Sequence, residues 1–371
     1  MVRFRPTWGG WLALLVTAAL PVGRQAVAQV PDWHPPEIEP AISLCDPDLV
    51  VLPPRYPLYF RVEGLALRRD VHGATDIATL NDPDTLALST RDLDMPFKAG
   101  PRFLVGHSFN DSVYQVEFSY FWLADWDDRA AVRDATINAF GLPGNLFSPF
   151  SDFSRNPPIF GFDYNDAVEI HEFSFLQNME LNLVRQLPMP PERLTASFII
   201  GARHMMIRER FDYFSHTNTV DPGVAGDGSN TINTRTRNEL YGAQIGGRFE
   251  FYAEQKWWIN TELKGAICNN SAGQATAFTQ TINGVPSGPF LGSRSQNVTS
   301  FIGDIAVEII CRPTPWLTAR IGYQAMWVTG VAVAARNFEP NAGILQFGPA
   351  QINHRGQVVY HGPHAGLEFT W

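Results

Sequence analysis

The chain has 371 residues, a formal net charge of −9 and a mean hydropathy of −0.12. That hydropathy is too low for a bundle of transmembrane helices, and the acidic balance without a basic run argues against a nucleic-acid partner. Charged residues make up only 18% of the sequence, sparse for a soluble surface, whereas aromatic residues reach 12%, which suits β-structure bordered by two aromatic girdles.

The first 28 residues have the pattern of a secretory signal. A basic start and an apolar run over residues 11–20 precede a small-x-small cleavage sequence at residues 26–28. The apolar run is shorter than the about 20 residues that a transmembrane helix needs. We therefore predict signal-dependent export, and Gln29 after the cut, in place of Cys, argues against a lipid anchor.

Residues 29–56 contain seven prolines and predict an extended, unpaired segment on the periplasmic side. Three cysteines do not make a disulfide scaffold in an exported chain. Cys45 and Cys311 could pair, leaving Cys268 free, or all three could be unpaired thiols. The sequence leaves both possibilities open.

Residues 57–371 alternate between apolar and polar side chains in segments typical of strands. Ten candidate strands cover residues 57–69, 101–109, 112–124, 168–186, 193–211, 237–253, 256–270, 297–311, 315–331 and 357–371. Several exceed the roughly 9–11 residues that a tilted strand needs to cross a membrane, so we expect them to project beyond it.

The connections between these strands alternate strictly in length. Short links alternate with long ones over residues 70–100, 125–167, 212–236, 271–296 and 332–356. Outer-membrane barrels have short periplasmic turns and long extracellular loops in this order, and an even strand number returns both termini to the periplasm. We predict an all-β, up-and-down antiparallel transmembrane barrel of about ten strands, with twelve as the alternative.

The last strand places apolar residues on one face up to a terminal aromatic, Trp371. The chain ends of globular proteins usually fray, because their burial gains little free energy. A final strand of this kind resembles the closing strand of outer-membrane barrels, and the resemblance implies that the assembly machinery recognises Trp371. The expected partners are outer-membrane lipid and that machinery; the sequence specifies no oligomeric state.

Strand alternation assigns a set of charged residues to the barrel interior. These candidate lumen-lining residues are Glu117, Glu180, Arg203, Arg248, Glu250, Glu262, Lys264, Asp304, Glu308, Arg320 and Glu368. They comprise seven acids and four bases, which favours cations if ions pass. Ten strands enclose little more than the side chains of the wall, so the charges could instead pair and close the lumen.

The long segments differ in composition. Residues 217–238 and 269–300 are rich in Asn, Thr, Ser and Gly, and predict flexible, solvated tips. Residues 139–166 are too apolar to extend into water and could form a constriction or plug, or cap the rim. The candidate constriction residues are Phe140, Phe147, Phe150, Phe153, Phe160 and Phe162.

One grouping at the outer rim has residue types suited to water activation. Asp125 and Asp127 end the third strand, and Glu169 and His171 open the fourth. The grouping is similar to the paired carboxylates and histidine of the ten-stranded omptin proteases, but the rest of the omptin sequence is missing, so we predict no enzyme. We also predict no metal, since His361 and His364 face opposite sides of one strand and cannot chelate one ion together. We predict no cofactor, since phosphate loops and nucleophile elbows are absent from the sequence.

Several short stretches with glycine and polar residues at particular strand positions resemble the sequences of beta-barrel porin family seven, which is known chiefly from planctomycete-type bacteria. They occur at Glu180–Leu183, Gly201–Arg203, Tyr241–Gly246, Phe301–Asp304, Arg320–Trp327 and His361–Leu367. The resemblance covers about residues 57–371 and implies an outer-membrane barrel without assigned catalytic or binding residues.

Two functions follow from these observations. The first is a porin-like barrel whose narrow, charge-lined lumen gives limited passage to small solutes or ions; inward Gly242, Gly246 and Gly322 would leave room for a path. The second is a closed structural or surface-binding barrel, adhesin-like in its use of long extracellular loops.

Overall fold

A computed structural model of the chain describes residues 57–81, 84–109, 113–187, 193–254, 256–342 and 350–371. The predicted signal segment (1–28) and proline-rich segment (29–56) lie outside these residues, as does Cys45. The strands are β1 (Leu58–Val71), β2 (Asp76–Leu80), β3 (Leu86–Ser89), β4 (Lys98–Phe109), β5 (Tyr114–Trp122), β6 (Trp126–Arg133), β7 (Leu146–Phe147), β8 (Asn165–Leu187), β9 (Leu194–Asp221), β10 (Val224–Glu254), β11 (Trp257–Ile282), β12 (Val285–Thr314), β13 (Leu317–Val331) and β14 (Gly356–Thr370), and one helix, α1, spans Ala335–Ala342.

Ten of these strands form a closed antiparallel ring in the order β1-β4-β5-β8-β9-β10-β11-β12-β13-β14. The ring closes where the first and last strands pair, from Tyr59 opposite Thr370 to Val71 opposite Val358. Closure leaves these strands without a free edge in the bilayer. The predicted up-and-down barrel is confirmed, with ten strands in the ring.

The outward face of the ring is an apolar band between two sets of aromatic residues. Exposed Leu181, Ile200 and Ile245 are representative of the band. Trp257, Trp316 and Trp371 lie near the short turns, which we assign to the periplasmic end. At the opposite border Tyr241 and Trp327 are exposed, and charged outward residues follow beyond them along the strands.

The barrel is much taller on one side. The strands β8 to β12 have 23, 28, 31, 26 and 30 residues, whereas β13, β14 and β1 have 15, 15 and 14. The prediction of flexible tips over residues 217–238 and 269–300 was therefore wrong. Threonine-rich sequence there continues the strands, with inward apolar residues such as Ile232 and Phe278 spaced among the polar ones.

The remaining long segments fold onto this tall side. β6 pairs with β8 beyond the end of β5, and β7 connects β8 to the β2–β3 hairpin. We call the part of β8–β12 beyond the apolar band, with β2, β3, β6, β7 and α1, the extracellular extension. No helix among the described residues is long and apolar enough to cross a membrane.

Candidate functional site

A layer of charged side chains fills the middle of the barrel, and every strand of the ring contributes to it. Because the outward face of a spanning strand meets lipid, its polar residues fall on the inward face. We call this set the charged layer: Arg61, Glu63, Arg102, Glu117, Glu180, Arg203, Arg248, Glu262, Lys264, Asp304, Glu308, Arg320 and Glu368.

One chain of ion pairs crosses the layer from β5 to β8. Arg248 donates two hydrogen bonds to Glu117, from Nη1 and Nη2, each 2.8 Å long. Its Nε donates to Glu262 at 2.8 Å, and Lys264 Nζ lies 2.8 Å from Glu262 and 2.9 Å from Glu180. Glu180 also pairs with Arg203. Each buried charge therefore has an opposite partner, as burial away from water requires.

A second group occupies the other side of the interior. Arg320 bridges two carboxylates, with Nη1 2.8 Å from Glu308 Oε2 and Nη2 3.0 Å from Glu368 Oε2. Arg61 donates to the same Glu368 oxygen at 2.9 Å. Arg102 pairs with Glu63 through Nε. The two groups connect strands on opposite sides of the ring and restrain its shape.

The structure places ten of the eleven predicted interior residues in this layer. Glu250 is half-buried nearer the periplasmic end, where it accepts a hydrogen bond from Tyr252. Sequence reasoning missed Arg61, Glu63 and Arg102, because apolar and polar residues are poorly sorted between the faces of β1 and β4. With them the layer has seven carboxylates and six cations, so the acidic excess expected from the sequence largely disappears.

Inward glycines leave no open path. A Cβ at Gly242 would lie 2.5 Å from Cys268 Sγ, and one at Gly246 would lie 2.8 Å from Lys264 Cγ. At Gly322 it would lie 2.8 Å from His364 Nε2. The space beside each glycine is therefore occupied by a neighbouring side chain. These residues permit dense filling, contrary to the expectation that they would leave room for passage.

The layer also contains a grouping that the sequence did not reveal. Glu63, Glu308 and His364 are all buried, and their ligand atoms lie within 4.8 Å of one another. His364 Nδ1, however, is 3.2 Å from Arg102 Nη2, and a guanidinium can only donate. The guanidinium thus occupies the place beside Nδ1 where a cation would bind. The arrangement is an ion-pair site.

Small cavities remain in and below the charged layer. One of about 50 Å³ lies between residues of the layer, lined by Glu117 and Lys264 among others. Another of about 70 Å³ lies towards the periplasmic end, next to Tyr59 and Trp258. Such volumes accommodate a few water molecules at most.

On the extracellular side of the charged layer, apolar side chains fill the interior. Every ring strand except β4 contributes a buried apolar residue to this cluster. We call it the apolar layer, and its inward members include Leu65, Phe121, Leu176, Met205, Leu240, Ala266, Ile302, Met326 and Tyr360. Trp126 of β6 reaches in from the rim and packs against Tyr360, with ring centroids 5.7 Å apart.

A buried ion pair joins the wall to the segment before α1. Arg69 contacts Glu172 at 3.0 Å and also pairs with Glu209, whose Oε2 accepts a hydrogen bond from the Ala334 amide at 2.9 Å. Burial raises the pKa of the Glu172 carboxyl above its ordinary value; attraction to Arg69 opposes this, and the charge of Glu209 adds to it. One cation thus holds two carboxylates and anchors α1.

The extracellular extension has an apolar core of its own. Phe338 of α1 is fully buried, with ring centroids 5.1 Å from Phe211, 5.4 Å from Tyr213 and 6.1 Å from Phe150. Residues from β2, β3, β7, β8, β10 and β11 also belong to this cluster. Above the apolar layer, therefore, the mouth of the barrel contains a packed core.

Five of the six predicted constriction phenylalanines lie in two groups, and Phe153 lies apart from both. Phe150 and Phe162 join the core, since Phe162 lies 5.4 Å from Phe278. Phe140, Phe147 and Phe160 instead surround Tyr164, at 5.2, 5.0 and 6.0 Å. Phe153 is half-buried with φ +56° in the turn that follows Phe150.

Asp163 holds this loop in its folded form. Its Oδ1 accepts hydrogen bonds from the Ser148 amide, the Ser148 hydroxyl and the Ser151 hydroxyl at 2.9, 2.9 and 3.0 Å. Its Oδ2 accepts one from the Ile159 amide at 2.8 Å. The carboxylate therefore satisfies donors from three parts of the loop at once.

The acid–histidine grouping at the rim lies on the outer face of the wall. His171 Nε2 is 3.0 Å from Asp127, and its Nδ1 is 3.3 Å from Asp212 of β9. Glu169 pairs with Arg129 at 3.8 Å, and Asp125 is exposed. Both ring nitrogens of His171 thus face carboxylates, so the side chain bridges β6 and β9.

Residues 66–358 match the family described as Putative beta barrel porin-7 (BBP7), and this match covers most of the chain. With its closed ring, apolar outer band and charged interior, the protein is an outer-membrane β-barrel. It belongs to the BBP7 family. Among curated proteins, no sequence matches significantly.

Solved structures similar to this chain are also outer-membrane barrels. They include the outer membrane protease OmpT from Escherichia coli, with 10% identity, TM-score 0.43, and coverage of 85% of this chain and 97% of that one. The toluene transporter TodX of Pseudomonas putida has 7% identity, TM-score 0.29, and coverage of 85% and 90%. A Pseudomonas aeruginosa FadL homologue has 8% identity, TM-score 0.23, and coverage of 85% and 89%.

Proposed function

We propose that the protein is a closed outer-membrane barrel that acts at the cell surface through its extracellular extension. The observation that supports this most directly is the apolar layer, to which nine of the ten ring strands contribute buried side chains. An ion in that layer would lose its hydration without gaining polar partners, which is costly at low dielectric. The charged layer below and the packed core above add further obstruction.

The second candidate is the porin-like passage of small solutes or ions. The family description favours it. Passage would require the apolar layer and the core around Phe338 to move apart. The nearly balanced charges of the layer would then give weak selectivity, because seven carboxylates face six cations.

Planar-bilayer recordings distinguish the two candidates. The intact, refolded protein should give no steady single-channel current at moderate voltage. A variant that carries Trp126→Ser, Met205→Ser and Tyr360→Ser should admit water through the apolar layer and conduct. Steady, reproducible current from the intact protein would overturn the closed barrel and support passage.

A matched control keeps this comparison sound. Tyr241→Ser, Phe249→Ser and Trp327→Ser replace three outward aromatic residues and leave the interior unchanged. This variant should be as silent as the intact protein. Heat-modifiable migration on a gel, which reports a folded barrel, is required of all three proteins before recording.

We also propose that export depends on residues 1–28 and that the assembly machinery recognises the last strand. Ala365, Leu367, Phe369 and Trp371 lie on the outward face of β14 or its end, and Trp371 is 58% exposed. Trp371→Ser should lower the amount of folded barrel in cells while leaving refolding in detergent unchanged. Equal amounts in cells would reject this role.

The proposed function assigns no catalysis to the barrel. His171 of the rim grouping is held between Asp127 and Asp212 on the outer wall. Its pairing supports a structural role, in which it joins β6, β8 and β9.

A further inference from the structure

We propose that four arginines on the outer wall form a binding site for the phosphorylated headgroup of an outer-leaflet lipid. The residues are Arg208 and Arg210 of β9 and Arg235 and Arg237 of β10, which we call the arginine square. In the strand register Arg208 is directly opposite Arg237, and Arg210 is directly opposite Arg235. This site is independent of whether the barrel conducts.

The square concentrates positive charge that the protein only partly neutralises. Like charges directly opposite across two strands are destabilising. Arg237 pairs with Glu239 at 2.5 Å, and Arg210 pairs with Asp212 at 3.0 Å. Within the part of the chain that the structure describes, Arg208 and Arg235 have no carboxylate within 4.0 Å; both side chains are exposed. An anion between them would relieve the repulsion.

The square faces a groove shaped for a bulky headgroup. Gly273 and Ala275 of β11 follow Arg237 and Arg235 across the sheet, and Ser295 and Ser293 of β12 come next. These small residues beside long arginines leave a groove of about 830 Å³, bordered on the other side by Phe173. The guanidinium of Arg210 lies 5.9 Å from the centre of the Phe173 ring.

The position of the square along the strands identifies the ligand as a lipid. Tyr241, at the border of the apolar band, lies four residues after Arg237 along β10, on its membrane side. At about 3.3 Å per residue and a tilt of roughly 40°, Arg208 and Arg237 lie about 10 Å above this aromatic border, and Arg210 and Arg235 about 15 Å. These positions are at and beyond the outer edge of the headgroup region, and the long arginine side chains can extend back towards its phosphates. Arginine forks are well suited to phosphate oxygens.

Native mass spectrometry of the detergent-solubilised protein tests the proposal with phosphatidic acid as the phosphomonoester lipid and phosphatidylcholine as the reference. The intact barrel should retain phosphatidic acid preferentially. Arg208→Gln with Arg235→Gln should lower this retention roughly ten- to thirtyfold, since each basic residue near an anionic surface contributes about 1 kcal/mol. The control, Arg129→Gln with Arg133→Gln on β6, removes two outward arginines elsewhere and should leave the preference unchanged.

Equal retention by the intact protein and the Arg208/Arg235 variant would overturn the proposal, as would an equal loss in the control. Inorganic phosphate at 10 mM, about the upper physiological level, should not displace the lipid; displacement would show a site for soluble anions. If the variant does not fold, the intact protein still tests the proposal. Its preference for phosphatidic acid must weaken between roughly 0.05 and 0.5 M NaCl, because salt screens the attraction between the arginines and the phosphate.

Discussion

The charged layer and the extracellular core fill the same barrel with opposite chemistry. Within the membrane the wall is apolar outside and charged inside, as at Ile200 and Arg203 of β9. Further along the same strand, Arg208 and Arg210 face out while Phe211 and Tyr213 face in. The solvent outside decides the pattern: lipid requires an apolar outer face, and water beyond it allows the apolar residues to turn inward.

This difference predicts different responses to the loss of one side chain. In the charged layer, removal of one side chain leaves its partner as an unpaired buried charge. Because the ion pairs join strands around the ring, the whole ring should be destabilised. In the extracellular extension, the loss of an aromatic side chain leaves a cavity in a core that is attached at one side of the barrel. The following four predictions test this contrast, from the largest effect to the smallest.

Arg248→Met should cause the largest loss of stability. It leaves Glu117 without its cation partner and Glu262 with Lys264 alone, and removal of one member of a buried pair costs about 3–5 kcal/mol. Urea unfolding in lipid vesicles measures the free energy. Arg133→Met, at an exposed outward position, is the control and should change it by less than about 0.5 kcal/mol. A loss equal to the control would mean that the layer does not stabilise the ring.

Phe338→Ala should destabilise the extension by roughly 3 kcal/mol, because it opens a cavity among three aromatic rings. The membrane part should stay folded, so heat-modifiable migration should persist while a protease cuts the extension faster. Phe153→Ala, half-buried in its turn, is the comparison. If both parts unfold together, the two regions are one cooperative unit.

Asp163→Asn should loosen the loop over residues 146–165 by about 1–2 kcal/mol, since the amide nitrogen cannot accept the hydrogen bonds that Asp163 receives. Hydrogen exchange of the Ser148 and Ile159 amides measures this opening. Asp152→Asn in the same loop is the control, because its exposed carboxylate makes only a 3.6 Å ion pair. Unchanged exchange would remove Asp163 from its proposed role.

His216 should show the smallest effect, through pH. Burial lowers its pKa, but hydrogen bonds and attraction from Asp166 and Asp227 outweigh this, so the pKa lies above its ordinary value. The stabilisation of the fold by protonated His216 and its two carboxylates is therefore fully present below about pH 6.5, and it is lost as pH rises through the raised pKa of His216. NMR titration should show a lower pKa in Asp227→Asn than in the control, Asp221→Asn. The same pKa in both variants would contradict the pairing.

Much of this architecture is contained in the sequence itself. Strict alternation of side chains, together with link length, predicted ten strands, their order and the interior placement of residues such as Glu117, Arg248 and Arg320. These features are local, because a period of two and a short turn each depend on neighbouring residues. The exceptions are β1 and β4, whose mixed faces concealed Arg61 and Arg102.

Only the tertiary structure decided how the barrel is filled. The polar stretches of residues 217–238 and 269–300 form strands because pairing and the core around Phe338 stabilise them, which no local pattern records. The ion pairs across the charged layer, such as Arg248 with Glu117, join strands distant in sequence, and the arginine square depends on the register between β9 and β10. A one-residue slip would turn each of these side chains to the other face, and the ion pairs across the layer form only once the ring has closed.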